Sequence, residues 1–430
     1  MVQRLHFVGI KGVGMTALAQ ILKASGAEIS GSDTAEYFFT QDILKQEGIS
    51  FFESFATEHL TPEVAGVVYS SAYGEDNPEI TEAKRRHLEL ASYAEAVGQF
   101  TERNHSIAVA GSHGKTTTTA LLGYVLAEAG FDPTVLVGSS VPQFGGGARV
   151  GRGEWFIFEA DEYQNKFQFY FPKVILLNNI EWDHPDFFPD AKNYERCFAE
   201  FIEKLPADGL LVANQDDPAV KQVAKNAHCR VVWFGKETHS WARVPLNLIG
   251  EHNARNAIGV AALAEALGAG REKILAGLQN FTGTKRRFET LGERDGILVI
   301  DDYGHHPTEI RVTLEAARQK FPGRRFWCIF HPHTFTRTKA YLEDFAKSFK
   351  SVDKVAVVDI YGSAREKQGG IHARDVVAAI NAVSKNAVYG GTLEEAAELL
   401  CREAKSDDII ITMGAGDVWR VGERFLNPEF

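Results

Sequence analysis

The chain has 430 residues, 44% of them hydrophobic and 24% charged, a balance that suits a globular protein with two or three cores. A formal net charge of −11 argues against a general electrostatic grip on nucleic acid, and no apolar stretch is long enough to cross a bilayer. The four cysteines, Cys197, Cys229, Cys328 and Cys401, form no CxxC pair, which fits free thiols; no secretory signal pattern precedes the first apolar run, so the cytoplasm is the expected compartment.

In chain order, LHFVGI is a short apolar run, followed by apolar residues at helical spacing, Met15, Leu18, Ile21 and Leu22. AEISGSD and AGVVYSSA read as further strands, and strands alternating with helices predict a parallel sheet covered on both faces. The pattern restarts at SIAVAG and continues through WFIFEAD, VILLNNIEWDH, GLLVANQDD and VVWFG. HNARNAIGVAALAEALG reads as a long helix closed by Gly268, with a second helix in REKILAGLQNF. A third block carries the strands ILVIDDY, FWCIFHPH, KVAVVDIYG and IIITMGAG. The expectation is an α/β chain of three domains, residues 1–103, 104–281 and 282–430.

Two glycine-rich turns fall at strand-to-helix junctions. Gly111-Ser112-His113-Gly114-Lys115-Thr116 opens a helix, where unpaired backbone N–H groups and the helix dipole favour an anion. Lys115 adds a point charge for outer phosphates, and the Thr116 hydroxyl suits a magnesium ion. Val109 stands where a full Walker loop has glycine, so this P-loop is shortened. The earlier turn, Gly12-Val13-Gly14-Met15-Thr16-Ala17, has dinucleotide-binding spacing, and Asp33 closes the second strand where an acid meets a ribose hydroxyl. That turn predicts a diphosphate ligand without separating NAD from a UDP-sugar. Nucleotide with magnesium also asks for acids at neighbouring strand ends, and Glu159, Asp161, Glu162 and Asp183, with His184, stand there.

The ordered series HFVGIKGVGM, GSHGKTTTT, EADE, NNIEWDH, EHNARNA, GTKRRFE, DDYGHHPTEI, HPHTFTRT and MGAGD resembles the Mur ligase family over nearly the whole chain. The resemblance implies an N-terminal Rossmann-like domain for a UDP-sugar, a central P-loop domain for ATP, and a C-terminal Rossmann-like domain for an amino acid. It implies ATP-dependent joining of L-alanine to UDP-N-acetylmuramate through an acyl phosphate, in peptidoglycan precursor synthesis. Within it, Gly12 and Gly14 hold the diphosphate of the sugar substrate. Gly111, His113, Gly114, Lys115, Thr116 and Thr117 hold ATP, with Asn253 and Asn256 around its adenine and phosphates. Thr116 and Glu159 take one magnesium ion and His184 helps with a second, manganese being an alternative metal. Arg287 and Asp302 reach ATP from the third domain, while Tyr303, His305, His333 and Arg337 surround the amino acid. Lys115, His184, Arg287 and Asp302 are thus the candidate catalytic residues. For the uracil side, strand-end placement suggests Asp33 and Ser70. A monomer or homodimer is expected.

Three departures from the pattern stand out. Thr334 occupies a position where many alanine-adding members carry arginine. The run after EADE, starting at Tyr163, is similar to the branch that attaches the tripeptide L-Ala-γ-D-Glu-meso-diaminopimelate, whereas DIYGSAREKQGG favours alanine addition. The stretch between Phe234 and Glu251 is shorter than is usual in the family. Two other classes remain at this point: a nicotinamide-dependent oxidoreductase, which leaves GKTTTT unexplained, and a non-catalytic nucleotide-binding protein, which leaves the full motif set unexplained.

Overall fold

The computed structural model describes residues 3–236, 241, 244–362, 366 and 369–427. Part of the short stretch after Phe234 (237–240 and 242–243) and part of DIYGSAREKQGG (363–365 and 367–368) lie outside the described residues.

Among the described residues the first sheet has five strands, β1 (Arg4–Val8), β2 (Glu28–Ser32), β3 (Ser50–Phe52), β4 (Gly66–Tyr69) and β5 (Glu89–Ser92), in the order β3-β2-β1-β4-β5. All its pairings are parallel, as expected when helices return the chain between strands. The order reverses beside β1, and the first glycine turn follows β1 at that switch point.

The second sheet has seven strands: β6 (His105–Ala110), β7 (Thr134–Val141), β8 (Gly146–Arg149), β9 (Trp155–Glu159), β10 (Val174–Leu177), β11 (Leu210–Asn214) and β12 (Arg230–Phe234). Its order is β12-β11-β10-β6-β9-β7-β8, parallel except for the β7–β8 pair at one edge. β6 lies between β10 and β9, so its C-terminal loop is flanked by the ends of both neighbours. The long apolar helix runs from Glu251 to Ala266 and Gly268 follows it at φ +91°, as its sequence predicts.

The third sheet is built from β13 (Glu289–Arg294), β14 (Ile297–Asp302), β15 (Phe326–Phe330), β16 (Lys354–Val358), β17 (Ala387–Gly391) and β18 (Ile409–Met413). Its order is β13-β14-β18-β15-β16-β17, with only β13 antiparallel. Alternate residues feed two cores. Ile300, Cys328, Phe330, Val355 and Ile411 face one layer of helices, and Val299, Trp327, Ile329, Ala356 and Ile410 face the other. That two-sided burial explains why these strands read as continuous apolar runs.

The chain divides into two compact units. One comprises Met1–Glu181, Lys192–Asn247 and Arg255–Thr284 and holds the first two sheets; the other comprises Trp182–Ala191, Leu248–Ala254 and Lys285–Phe430 and holds the third. The four cysteines are free, and among the described residues no helix is long and apolar enough to cross a membrane.

Candidate active site

In the first unit, the turn after β1 is shaped by a carboxylate. Asp33 is buried and accepts the backbone N–H of Lys11 at 2.7 Å, that of Thr34 at 2.8 Å and the Tyr73 hydroxyl at 3.1 Å. Gly9 sits at φ +83°, where a methyl group would meet the Tyr73 ring at 2.6 Å and the Ser70 Cβ at 3.0 Å. Gly12 caps the helix Val13–Ala24, and a methyl on Gly14 would meet the Tyr93 hydroxyl at 3.0 Å. Gly12, Gly14, Asp33 and Ser70 are therefore gathered at the ends of β1, β2 and β4, as their placement in the sequence suggests. Lys11, inside HFVGIKGVGM, completes this corner together with Tyr73 and Tyr93, which carry no motif signal. Lys11 is fully buried, with Nζ donating to the Thr34 and Glu36 carbonyls at 3.0 Å each and to Glu53 at 2.9 Å.

The second turn joins β6 to the helix Lys115–Glu128. Gly111 at φ +142° and Gly114 at φ +78° adopt conformations that glycine enters without a Cβ penalty. Lys115 Nζ donates to the Gly111 carbonyl at 2.6 Å and to Glu162 at 2.9 Å. Burial works against the charge of Lys115, but Glu162, Asp161 and Glu159 outweigh it and raise its pKa. Thr116 Oγ1 donates to the two Glu159 oxygens at 2.9 and 3.0 Å, and the Gly138 N–H reaches the same carboxylate at 3.1 Å. A hydroxyl beside a carboxylate is an all-oxygen donor set, which fits a hard divalent cation such as magnesium.

Neighbouring side chains hold the loop. The His113 N–H donates to Asn179 Oδ1 at 2.8 Å, and its Nε2 lies 2.9 Å from Glu181. Asn256 packs on the loop so closely that a methyl on Gly114 would meet its amide at 2.9 Å. Of the threonine run, Thr116 and Thr117 lie in the first helical turn. Thr118 and Thr119 are fully buried; Thr118 takes a hydrogen bond from Asn178 at 2.9 Å and Thr119 returns one to the Lys115 carbonyl at 2.8 Å.

In the second unit, Arg337 is buried and grips Asp183 through Nη2 at 2.9 Å and Nε at 3.1 Å. Burial opposes ionisation of Asp183, but Arg337 and the nearby histidines outweigh it and hold the carboxyl far below the usual range. The same guanidinium lies 3.3 Å from His333 Nδ1 and 3.4 Å from His184 Nδ1. The rings of Tyr303, His305 and His333 form a row, with centroids 5.4 and 5.9 Å apart along it. Burial, then Arg337, pushes His305 down to about 3 and His333 down to about 4. Asn253 Nδ2 donates to the Ile249 carbonyl at 2.8 Å.

Asp302 accepts the Phe288 N–H at 2.9 Å and the Gly304 N–H at 2.8 Å, so its carboxylate shapes the chain beside it. Burial raises its pKa to about 6 against the opposing pull of Arg287. The Arg287 guanidinium lies over the Tyr303 ring at 5.1 Å and 3.9 Å from Glu309. Thr334, a β-branched residue, sits at φ +63°, an unusual conformation. It caps the helix that carries Arg337, accepting the Arg337 N–H at 3.4 Å. Glu309 and Tyr361, within DDYGHHPTEI and DIYGSAREKQGG, tie these groups together: Glu309 accepts the His305 N–H at 3.1 Å, and the Tyr361 carbonyl accepts the Thr334 N–H at 2.9 Å.

Two glycine turns at strand-to-helix junctions, one bearing a lysine and a hydroxyl–carboxylate pair, define a nucleotide-dependent phosphoryl-transfer class. Residues 4–105 match the Mur ligase family catalytic domain, 109–264 the Mur ligase middle domain, and 286–416 the Mur ligase glutamate ligase domain. The chain is 39% identical to a UDP-N-acetylmuramate–L-alanine ligase of Desulfitobacterium hafniense, over 98% of this chain and 99% of that one. It is 38% identical to the protein of the same name from Acetivibrio thermocellus, over 99% and 96%. Its structure resembles that of the UDP-N-acetylmuramate–alanine ligase of Thermotoga maritima, with a TM-score of 0.81, 26% identity and 99% of each chain covered. A murein peptide ligase from Psychrobacter arcticus gives a TM-score of 0.75 at 25% identity, over 99% of this chain and 98% of that one. The chain belongs to the Mur ligase family.

Proposed function

We propose that the enzyme joins L-alanine to UDP-N-acetylmuramate at the expense of ATP, through an acyl phosphate. Full-length relatives bear the name of that activity at 39% and 38% identity. The carrying structural observation is the pair of glycine turns in one compact unit: at the second, Lys115 and the Thr116–Glu159 hydroxyl–carboxylate pair open the helix, whereas at the first the Lys11 ammonium group is bonded to the Thr34 and Glu36 carbonyls and to Glu53.

The chemistry asks for both turns. A carboxylate is a poor acylating agent. Transfer of the terminal phosphoryl group of ATP breaks a P–O bond to ADP and forms one to a carboxylate oxygen of the sugar. The amine of alanine then attacks the acyl carbon, the tetrahedral intermediate expels phosphate, and one proton is released. Positioning and charge neutralisation govern such a transfer.

In this reading Gly12 and Gly14 receive the diphosphate of the sugar nucleotide, with Asp33 and Ser70 on the uridine side. Asp33 acts there mainly by fixing the turn, since its oxygens are committed to Lys11, Thr34 and Tyr73. Gly111, His113, Gly114 and Thr117 cradle the ATP phosphates, Lys115 neutralises the outer ones, and Asn253 and Asn256 serve the nucleoside end. Thr116 and Glu159 would hold a magnesium ion, which neutralises phosphate charge when bound. A second ion at His184 rests on the family resemblance; the guanidinium 3.4 Å from its imidazole opposes one. Arg287 offers its charge to the γ-phosphoryl group, and Asp302 supports it by ordering the strand end. Tyr303, His305, His333 and Arg337 form the amino-acid side, where both imidazoles are neutral at pH 7. The compartment is the cytoplasm, where ATP is supplied.

The test is phosphate release with UDP-N-acetylmuramate and each nucleophile in turn: L-alanine, glycine, L-serine and the tripeptide. L-Alanine is expected to give the highest kcat/KM. A preference for tripeptide overturns the assignment within the family.

A further inference from the structure

Lys115 does not reach its position alone. Its ammonium group has three protons and three acceptors: the Gly111 carbonyl at 2.6 Å, Glu162 Oε2 at 2.9 Å and the Ser112 carbonyl at 3.3 Å. The first two bonds are short and set the direction of the group. The third is long and is the one a phosphate oxygen displaces most easily.

Glu162 is itself fixed. It is 1% exposed, and its second oxygen accepts the Tyr194 hydroxyl at 2.8 Å. Tyr194 is fully buried on the helix Ala191–Glu203, with its ring against Phe198 at 5.2 Å. Because a carboxylate only accepts, the phenol must donate to Glu162. Its oxygen also lies 3.0 Å from Ser112 Oγ, which accepts the Glu181 N–H at 2.8 Å and donates to the Glu181 carbonyl at 2.8 Å. The phosphate loop, the end of β9 and a helix from elsewhere in the sequence thus converge on one ammonium group.

We propose that Glu162 and Tyr194 are positioning residues for Lys115, orienting its ammonium group on the phosphoryl group in transfer. The proposal rests on the ATP-dependent reading above and gives these two side chains a role distinct from the cation pair Thr116 and Glu159. Glu162 offsets part of the Lys115 charge, so ground-state attraction for ATP is moderated while the direction of Nζ is kept.

The experiment compares Glu162→Gln and Tyr194→Phe, each alone and in a Lys115→Met background, reading kcat, KM for ATP and the ATP dissociation constant. Glu162→Gln removes the charge and keeps the shape. It is expected to lower kcat about 20-fold and also to lower KM for ATP about threefold, the pattern of an interaction that orients at the cost of binding. Tyr194→Phe keeps the ring and is expected to move both constants the same way, with kcat down about fivefold. In the Lys115→Met background, Glu162→Gln is expected to change the ATP dissociation constant less than about twofold, because its effect is exerted through the lysine.

An unchanged or raised KM for ATP in Glu162→Gln overturns the proposal, as loss of folded enzyme lowers kcat alone. So does an equal affinity shift in the lysine-free background, or a change confined to the magnesium requirement. The affinity cycle needs no turnover. If wild type releases no phosphate with sugar nucleotide and any nucleophile, the functional reading fails while the cycle still judges the positioning.

Discussion

Lys115 carries its charge into a pocket lined by Glu159, Asp161 and Glu162, and those carboxylates keep it protonated despite its burial. A buried lysine held charged next to a phosphate loop serves binding poorly if it is removed, because the carboxylates then repel the nucleotide. Lys115→Ala is expected to lower kcat at least about 1,000-fold while the melting temperature stays within a few degrees, read by phosphate release and circular dichroism. The histidines of the second unit make the opposite choice. His305 and His333 are pushed down to about 3 and about 4 by burial and by Arg337, so both are neutral in the folded chain. The unfolded chain binds these protons near pH 6.5. Stability from the neutral pair is therefore whole above about pH 6.5 and is lost as the pH falls through about 4 and 3. Melting temperature is expected to fall between pH 7 and pH 5. In a His305→Asn/His333→Asn variant the fall is smaller, by the equivalent of about 4 kcal/mol. Equal falls in the two proteins would remove these imidazoles from the account.

The strand-to-helix junction is the smallest element that carries function here, and its geometry depends on Gly114. A Cβ at φ +78° costs about 1–2 kcal/mol, and it would also press on the Asn256 amide at 2.9 Å. Gly114→Ala is expected to weaken ATP binding about tenfold or more, measured by titration calorimetry, with a smaller loss in binding of the sugar nucleotide at the other turn. Equal losses for both ligands would mean general unfolding instead. Such junctions were legible in the sequence because an apolar run, glycines and a helical period are local signals. The buried central strands were legible for the same reason. β3, β5, β7, β8, β13 and β17 were not: most are short or at a sheet edge, and β13 alternates between half-buried and exposed positions. The pairings that orient site residues escaped as well, although Glu162, Asp183 and Arg337 were each marked singly. Asp183 and Arg337 are 154 positions apart, and Tyr194 and Glu162 are 32 apart. Nothing in either local stretch encodes those distances.

For the whole molecule, sequence order and compactness divide the chain differently. Three family domains follow one another along the sequence, yet the first two sheets share one compact unit, while Trp182–Ala191 and Leu248–Ala254 are grouped with the third. Spacing along the chain marks sheets well but does not say which excursions leave their parent sheet, since that depends on packing. The grouping bears on the proposed chemistry: both glycine turns, and so the proposed sites of both reactants of the phosphoryl transfer, belong to one unit, and the proposed amine site belongs to the other. The first half-reaction therefore has its own atomic signature. If the sugar carboxylate is labelled with 18O, phosphoryl transfer makes one labelled oxygen the bridge to phosphorus, and attack by the amine leaves that oxygen on the departing phosphate. Mass spectrometry is expected to find one label in each inorganic phosphate and one retained in the amide product. Unlabelled phosphate formed alongside amide would mean that ATP is hydrolysed without activating the carboxylate, and the acyl-phosphate mechanism would have to be abandoned.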